Sequence, residues 1–507
     1  MPGRPFRRSP RAAGLRQPGL LLTVLCPALL CLSRPAAADL FRYQDENGQT
    51  VEVEAELAGA GQGAFALRLA DGQIRLISEA AVLQRTPAKA PQPESGDEMI
   101  ARLTEQFGSE TFRADEAKPY VVGVVLTSPL DRAQERRVRS FLKKGLRFMR
   151  NVETVFEDFA RSMRLELEDP QFPLVVLIFE TDDLFEAYTR EATGGRGLSA
   201  TNIAGFYSAL TNRLAIRMSE CHTFEVPLHE AIHQQVNNRG LVRRLAPVPK
   251  WFHEGIATGF EGNGEKISIG PNRINSSFAR RTNAAGRVNW GDLVREDSAF
   301  GGDILAGDAY THAWGLHWLL VTGHREEYTR YVRLLGGKQP LAPETADERV
   351  REFSDAFGST AEQLQEDFRP QLELGLRRQK VSLAPEYPPG VSVTQSNLAE
   401  VQMKAVQLPN GVLQVEGTLR NISPVREMTF HVAVLTDSGT YAEWLVPDLG
   451  LKKSSPLTTK AAVQVAPGAP GGPSRTFRVQ VRSTTPGSDQ AGEWARGNSP
   501  IPALRRQ

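Results

Sequence analysis

The segment Leu228-His229-Glu230-Ala231-Ile232-His233-Gln234 restricts the folds open to this chain more than any other stretch. On a helix, residues four apart lie one above the other, so His229 and His233 aim two imidazoles at one point. Neutral imidazole is a good zinc ligand. Glu230 is turned aside around the helix axis. It is placed to flank an activated water rather than to fill a coordination position, and from there it can accept a proton.

A second segment completes the set. Trp251-Phe252-His253-Glu254-Gly255-Ile256-Ala257 reads as another helix, and Glu254 comes 254 − 233 = 21 positions after His233. Residues 239–249 contain Gly240, Pro247 and Pro249 and suit a loop that returns the chain. Two helices must then converge on one ion. Three protein ligands leave a fourth position for water, which is the catalytic rather than the structural arrangement.

The rest of the chain divides by pattern, and the expected class is α+β. Residues 39–84 read as short strands: Phe41-Arg42-Tyr43, a turn at Asp45-Glu46-Asn47-Gly48, alternation at Val51, Val53 and Ala55, and a hairpin around Asp71-Gly72. Residues 85–110 read as a linker, because Pro, Ala and Ser crowd their first part. Within 111–380, apolar runs at 120–126 and 172–179 suit buried strands, 132–163 is amphipathic, 204–218 forms a hairpin, and helices dominate after 223. Residues 385–490 alternate again, as a β-sandwich does. Residues 491–507 read as a flexible tail.

At the N-terminus, Arg4, Arg7, Arg8, Arg11 and Arg16 precede an apolar run at 20–32 and the small residues Ala36-Ala37-Ala38. This is the pattern of a signal peptide cleaved after about Ala38. The run is too short for a bilayer core of roughly 30 Å. An exported protein, periplasmic or extracellular, is expected, with no membrane span in the mature chain. Cleavage removes Cys26 and Cys31 and leaves Cys221, read as a buried inert thiol, so no intrachain disulfide can form. The formal charge of the whole chain is only +1, which gives no support for a nucleic-acid partner.

Together, the two helical segments resemble the gluzincin (peptidase MA-like) zinc metallopeptidases. They are most similar to a bacterial domain-of-unknown-function family with an exported gluzincin-like domain. That family pairs a His-Glu-x-x-His helix with a Trp-Leu-x-Glu-Gly-x-Ala segment and has an upstream hairpin, matched here by Gly205-Phe206-Tyr207 and Thr211-Asn212-Arg213. The resemblance runs from about 111 to 376. It implies a zincin-like domain with a mixed sheet and a helical C-terminal lobe, Zn2+ as cofactor, and a peptide or protein substrate laid along an edge strand over the cleft. Residues 48–54 and 67–72 resemble the SH3-like Sla-type homology domain, which implies a small β-barrel at 39–84 and a binding role.

The chain departs from the family pattern after Ala257, where Thr258 and Gly259 replace an acidic residue and an aromatic. Thr258 stands where a partner of a ligating histidine is expected. A hydroxyl is weaker there than a carboxylate, and Glu261 is the alternative. For the oxyanion donor the resemblance implies Tyr310, with His312 as runner-up. A core aromatic role for Tyr310 is equally open. His222 and His253 lie near the site in sequence and are read as surface or supporting residues rather than ligands. His317, His324 and His431 are read as structural.

The expected chemistry is peptide-bond hydrolysis by a zinc-activated water, with Glu230 as general base and Tyr310 or His312 at the oxyanion. The competing expectation is a non-catalytic scaffold of the cell envelope, whose β-domains hold an envelope partner while the metal site lies unused. The presence of all three ligands and Glu230 weighs against a decayed site.

Overall fold

Alternation near the start of the chain becomes five antiparallel strands: β1 (Ala37–Gln44), β2 (Thr50–Gly61), β3 (Ala64–Arg68), β4 (Ile74–Ser78) and β5 (Val82–Lys89). They run in the order β4-β3-β2-β1-β5 over a small core of Phe41, Tyr43, Ala55, Leu67 and Ile77. In this computed structural model the described residues are 37–193, 203–222, 225–261, 270–284, 288–300, 305–383, 390–396, 398–408, 413–436, 439–458, 476–484, 501–502 and 504–505. The expected signal segment falls outside them, apart from Ala37 and Ala38, which already belong to β1.

Two expectations for this region are corrected. Among the described residues no pairing joins β4 to β5, so the sheet stays open and no barrel closes. Residues 85–110 are not a linker. Pro87 lies on β5, an edge strand, where proline is tolerated. Arg85 ties that strand to Asp39 at 2.7 Å. Gly96–Phe107 is helix α1, started by a reciprocal cap in which Ser95 and Glu98 each accept from the other's backbone N–H.

The central sheet uses β6 (Phe112–Ala117) and β7 (Tyr120–Val125), then β8 (Leu174–Phe179) after the long helix α2 (Arg132–Ser162). Helix α3 (Asp182–Ala192) leads to the hairpin β9 (Gly205–Ser208) and β10 (Arg213–Arg217). The order is β6-β7-β8-β10-β9, with β7, β8 and β10 parallel and both outer pairs antiparallel. Every residue of β7 and β8 is buried, as strands covered on both faces require. On one face Val122, Val124, Val176 and Ile178 join Val138, Leu142, Met149 and Phe156 of α2. On the other, Met99 and Leu103 of α1 meet Phe185 and Tyr188 of α3 over Val121, Val175 and Leu177. The short strand β9 is left at one edge.

Eight helices follow among the described residues: α4 (Glu225–Asn238), α5 (Lys250–Phe260), α6 (Ser276–Ala284), α7 (Trp290–Arg295), α8 (Leu305–Gly323), α9 (Arg325–Gly337), α10 (Ala346–Phe357) and α11 (Ala361–Gln379). Helix α8 is buried on all sides from Thr311 to Val321, and α5 crosses it closely. A Cβ at Gly255 would lie 2.8 Å from the Ala313 carbonyl oxygen, and one at Gly259 would lie 3.1 Å from His317 Nδ1. The glycine at 259 therefore has a packing reason: no side chain fits between α5 and His317.

Beyond 390 the strands β11 (Val391–Ser396), β12 (Ala399–Gln407), β13 (Leu413–Asn421), β14 (Met428–Thr436), β15 (Gly439–Leu449), β16 (Ser454–Leu457) and β17 (Thr476–Thr484) form two sheets. One runs β11-β12-β13-β16; the other contains β15-β14-β17. Val401, Met403 and Ala405 of the first share a core with Val432, Val434, Val479 and Val481 of the second. The expected flexible tail is corrected in part: β18 (Ile501–Pro502) pairs with β17, and β19 (Leu504–Arg505) pairs with β12. Arg426 fixes these sheets to the central one. Its Nε lies 2.6 Å from Glu180 Oε1, both side chains are buried, and its guanidinium also donates to Ser128. No helix of the described residues is long and apolar enough to cross a membrane.

Candidate metal centre

Helix α4 and helix α5 are joined by the loop 239–249 and pack against each other. Tryptophan and phenylalanine at 251 and 252 are wholly buried at the start of α5 and fix its approach. The next turn then carries Glu254 to the α4 face that bears His229 and His233. His229 Nε2 is 3.1 Å from Glu254 Oε2 and 3.1 Å from His233 Nε2, while His233 Nε2 is 3.6 Å from Glu254 Oε2. Ligands about 2.0–2.1 Å from a tetrahedral zinc are separated from one another by roughly 3.3 Å. The three atoms thus stand at the separations that one such ion needs, and no other group of this kind is found among the described residues.

The electrostatics agree with this donor set. Burial disfavours the Glu254 carboxylate, but the charges of His233 and His229 and their hydrogen bonds outweigh it and hold its pKa well below the usual range. Burial also works against a charged His229, yet hydrogen bonds to Glu254 and Glu261 hold that ring's pKa well above 6.5. A carboxylate between two imidazoles takes up positive charge; in the metal-free protein a proton supplies it.

The supporting residues sort themselves by distance. Glu261 Oε1 meets His229 Nδ1 at 2.7 Å, on the side of the ring away from Glu254. Thr258 bonds to neither histidine ring: its hydroxyl donates back to the Glu254 carbonyl at 2.7 Å and to the Gly255 carbonyl at 3.1 Å. Glu230 is held by strand β9, whose Tyr207 N–H donates to Glu230 Oε2 at 2.8 Å. Burial pushes the Glu230 pKa up, against the lowering influence of His229 and His233.

The Tyr310 ring lies 6.2 Å from that of His229 and 5.6 Å from Phe300. Burial, then the charges of Glu254, Glu230 and Glu261, keep its phenol protonated. His312, two residues on, is roughly 200° around the helix. There its Nδ1 accepts from Trp290 Nε1 at 3.1 Å. The His253 ring is 6.0 Å from that of His233, and burial followed by the His233 charge brings its pKa to about 4. The side chain of His222 lies outside the described residues. His317 is wholly buried and meets Tyr328 Oη at 2.8 Å. Cys221 is buried, which pushes its thiol far up.

Two contributions went unread in the sequence. Tyr207 was noticed as part of a hairpin signature, but its backbone N–H, not its ring, holds Glu230. The side chain binds elsewhere, to Asn212 Oδ1 at 2.7 Å. Arg244, in the loop between the two helices, is buried beside that hairpin, and no local pattern marks it.

Residues 226–342 match a family described as a protein of unknown function, DUF1570. The match spans α4 to α9 and includes His229, Glu230, His233, Glu254, Glu261 and Tyr310. No curated protein matches the chain.

Proposed function

We propose that this protein is a zinc-dependent metallopeptidase of the gluzincin type, exported from the cytoplasm, with His229, His233 and Glu254 as the metal ligands. The convergence of two imidazole nitrogens and one distant carboxylate oxygen at ion-sized separations carries this reading. Zinc held there supplies Lewis acidity for a carbonyl and lowers the pKa of a water to about 7.

The side chains do the rest. Glu230, poised by the Tyr207 N–H with its pKa raised, accepts the proton of the attacking water and delivers it to the leaving amine. Tyr310, kept protonated beside three carboxylates, donates a hydrogen bond to the developing oxyanion. Glu261 orients His229 through Nδ1 and fixes which nitrogen faces the metal. Strand β9 is the antiparallel edge of the central sheet, and an extended peptide can lie along it. The outer β-sheets provide surfaces for an envelope partner. The N-terminal arginine and leucine pattern supports export.

The test is cleavage of casein and of peptide mixtures by zinc-loaded protein, with Glu230→Gln as control. The wild type cleaves, a chelator stops it, and Glu230→Gln keeps its zinc but loses turnover by at least about 10²-fold. Stoichiometric zinc without turnover in the wild type would favour a binding protein instead.

A further inference from the structure

A cavity of about 530 Å³ opens where the C-terminal end of α4 meets the open sheet of β1–β5. Arg244 lines it and is only 8% exposed. Its guanidinium makes one hydrogen bond, from Nη1 to the Ala209 carbonyl at 3.2 Å. Among the described residues no carboxylate pairs with it. Asp71, the acid whose charge it feels, is already bound to Arg102 at 2.9 Å and to Gln73. Of the other cations on the cavity wall, Arg68 is neutralised by Glu56 at 2.6 Å, and Arg243 has a neutral partner in Gln339. Glu168 and Asp169 also line the wall, and neither pairs with Arg244 among the described residues. A guanidinium this buried and without an ion-pair partner is stabilised when an anion occupies the space beside it.

A chain of hydrogen bonds links the cavity wall to Glu230. Ala209 follows β9 directly, and Asn238 on the cavity wall donates to Asn212 Oδ1, which accepts from Tyr207 Oη. Tyr207 is the residue whose N–H holds Glu230. Asn238 is five residues beyond His233 on α4, or about 7.5 Å along the helix axis. An extended peptide covers that distance in about two residues.

We infer that Arg244 is a specificity residue that binds a carboxylate of the substrate, an acidic side chain or a free C-terminus, a few residues from the bond placed at the metal centre. This rests on the peptidase reading for its substrate class, while the anion site itself stands on the buried guanidinium.

The experiment measures binding to zinc-supplemented, full-length Glu230→Gln protein. The probes are labelled, N-acetylated alanine octapeptides carrying one Glu at each position in turn, the same set with Gln, and one with a free C-terminal carboxylate; all others are amidated. A carboxylate at one favoured position should tighten binding about 10- to 100-fold over its neutral match. The position that responds distinguishes side chain from terminus. Arg244→Met should abolish the preference, and Arg244→Lys should keep part of it, which separates loss of charge from loss of fold. Equal affinity for charged and neutral peptides, or a preference that survives in Arg244→Met, overturns the inference. A carboxylate preference in a protein whose Glu230-intact form cleaves nothing would uphold the Arg244 site and reject the peptidase. Cleavage without any such preference would do the reverse.

Discussion

Glu261 Oε1 lies 2.7 Å from His229 Nδ1, across the imidazole from the nitrogen that meets Glu254. The carboxylate that would orient His229 as a ligand thus comes from the residue just past the end of α5, seven positions after Glu254, rather than from one turn on at Thr258. It explains how the site keeps an oriented histidine although a threonine stands at 258.

Glu261→Gln should weaken zinc binding about 10- to 100-fold, the usual cost of losing such a partner. Thr258→Ala should leave zinc affinity unchanged, because its hydroxyl bonds only to the backbone of its own helix. Competition against a chromophoric chelator measures both.

Zinc affinity should rise with pH. In the metal-free protein His229 carries a proton held by Glu254 and Glu261 against burial, and zinc needs the neutral ring. Below the raised folded pKa each unit of pH therefore strengthens binding by up to about tenfold, and the gain stops above it. Metal-free stability follows the opposite course for this group. A raised histidine pKa contributes stability that is full below about 6.5 and fades as pH climbs through the folded value. Glu254, whose pKa is depressed, contributes above about 4.5 and loses that contribution as pH falls through its folded value. Chelator competition and metal-free thermal unfolding across pH check both signs.

Breaking the pair between Arg426 and Glu180 should be costly. Arg426→Ala leaves Glu180 buried and charged, for a loss of about 3–5 kcal/mol in denaturant unfolding. Replacing both residues by methionine should recover most of that loss, since an apolar pair of similar volume avoids desolvation.

Gly255→Ala should destabilise the fold by about 1–3 kcal/mol and lower zinc affinity, because the added methyl forces α5 away from the Ala313 carbonyl on α8. Thermal unfolding and zinc titration of this variant read the two effects separately.

Local spacing carried much of the site. His229, Glu230 and His233 share one helical turn, and Gly240 with two prolines fixes where α4 ends and α5 begins. Contacts made across the fold were harder to read. Pro87 and its neighbours look like a linker by composition, yet pairing with β1 makes them a strand. Leu504 and Arg505 look like a frayed end until β12 supplies a partner 98 positions away in register, Val406 against Leu504. His312 is the runner-up to Tyr310 in the sequence reading, although a separation of two residues puts them on opposite sides of a helix. Arg244 is the clearest case: it stands out only by its burial, and no motif encodes burial.

X-ray absorption at the zinc edge, with anomalous diffraction to locate the ion, tests the central claim most directly. One zinc per chain is expected, bound by two imidazole nitrogens at about 2.0–2.1 Å and by oxygen, with Glu254→Ala losing a ligand and most of the affinity. A protein that purifies without zinc and takes none up, or an ion whose shell lacks His229, His233 or Glu254, would contradict the account.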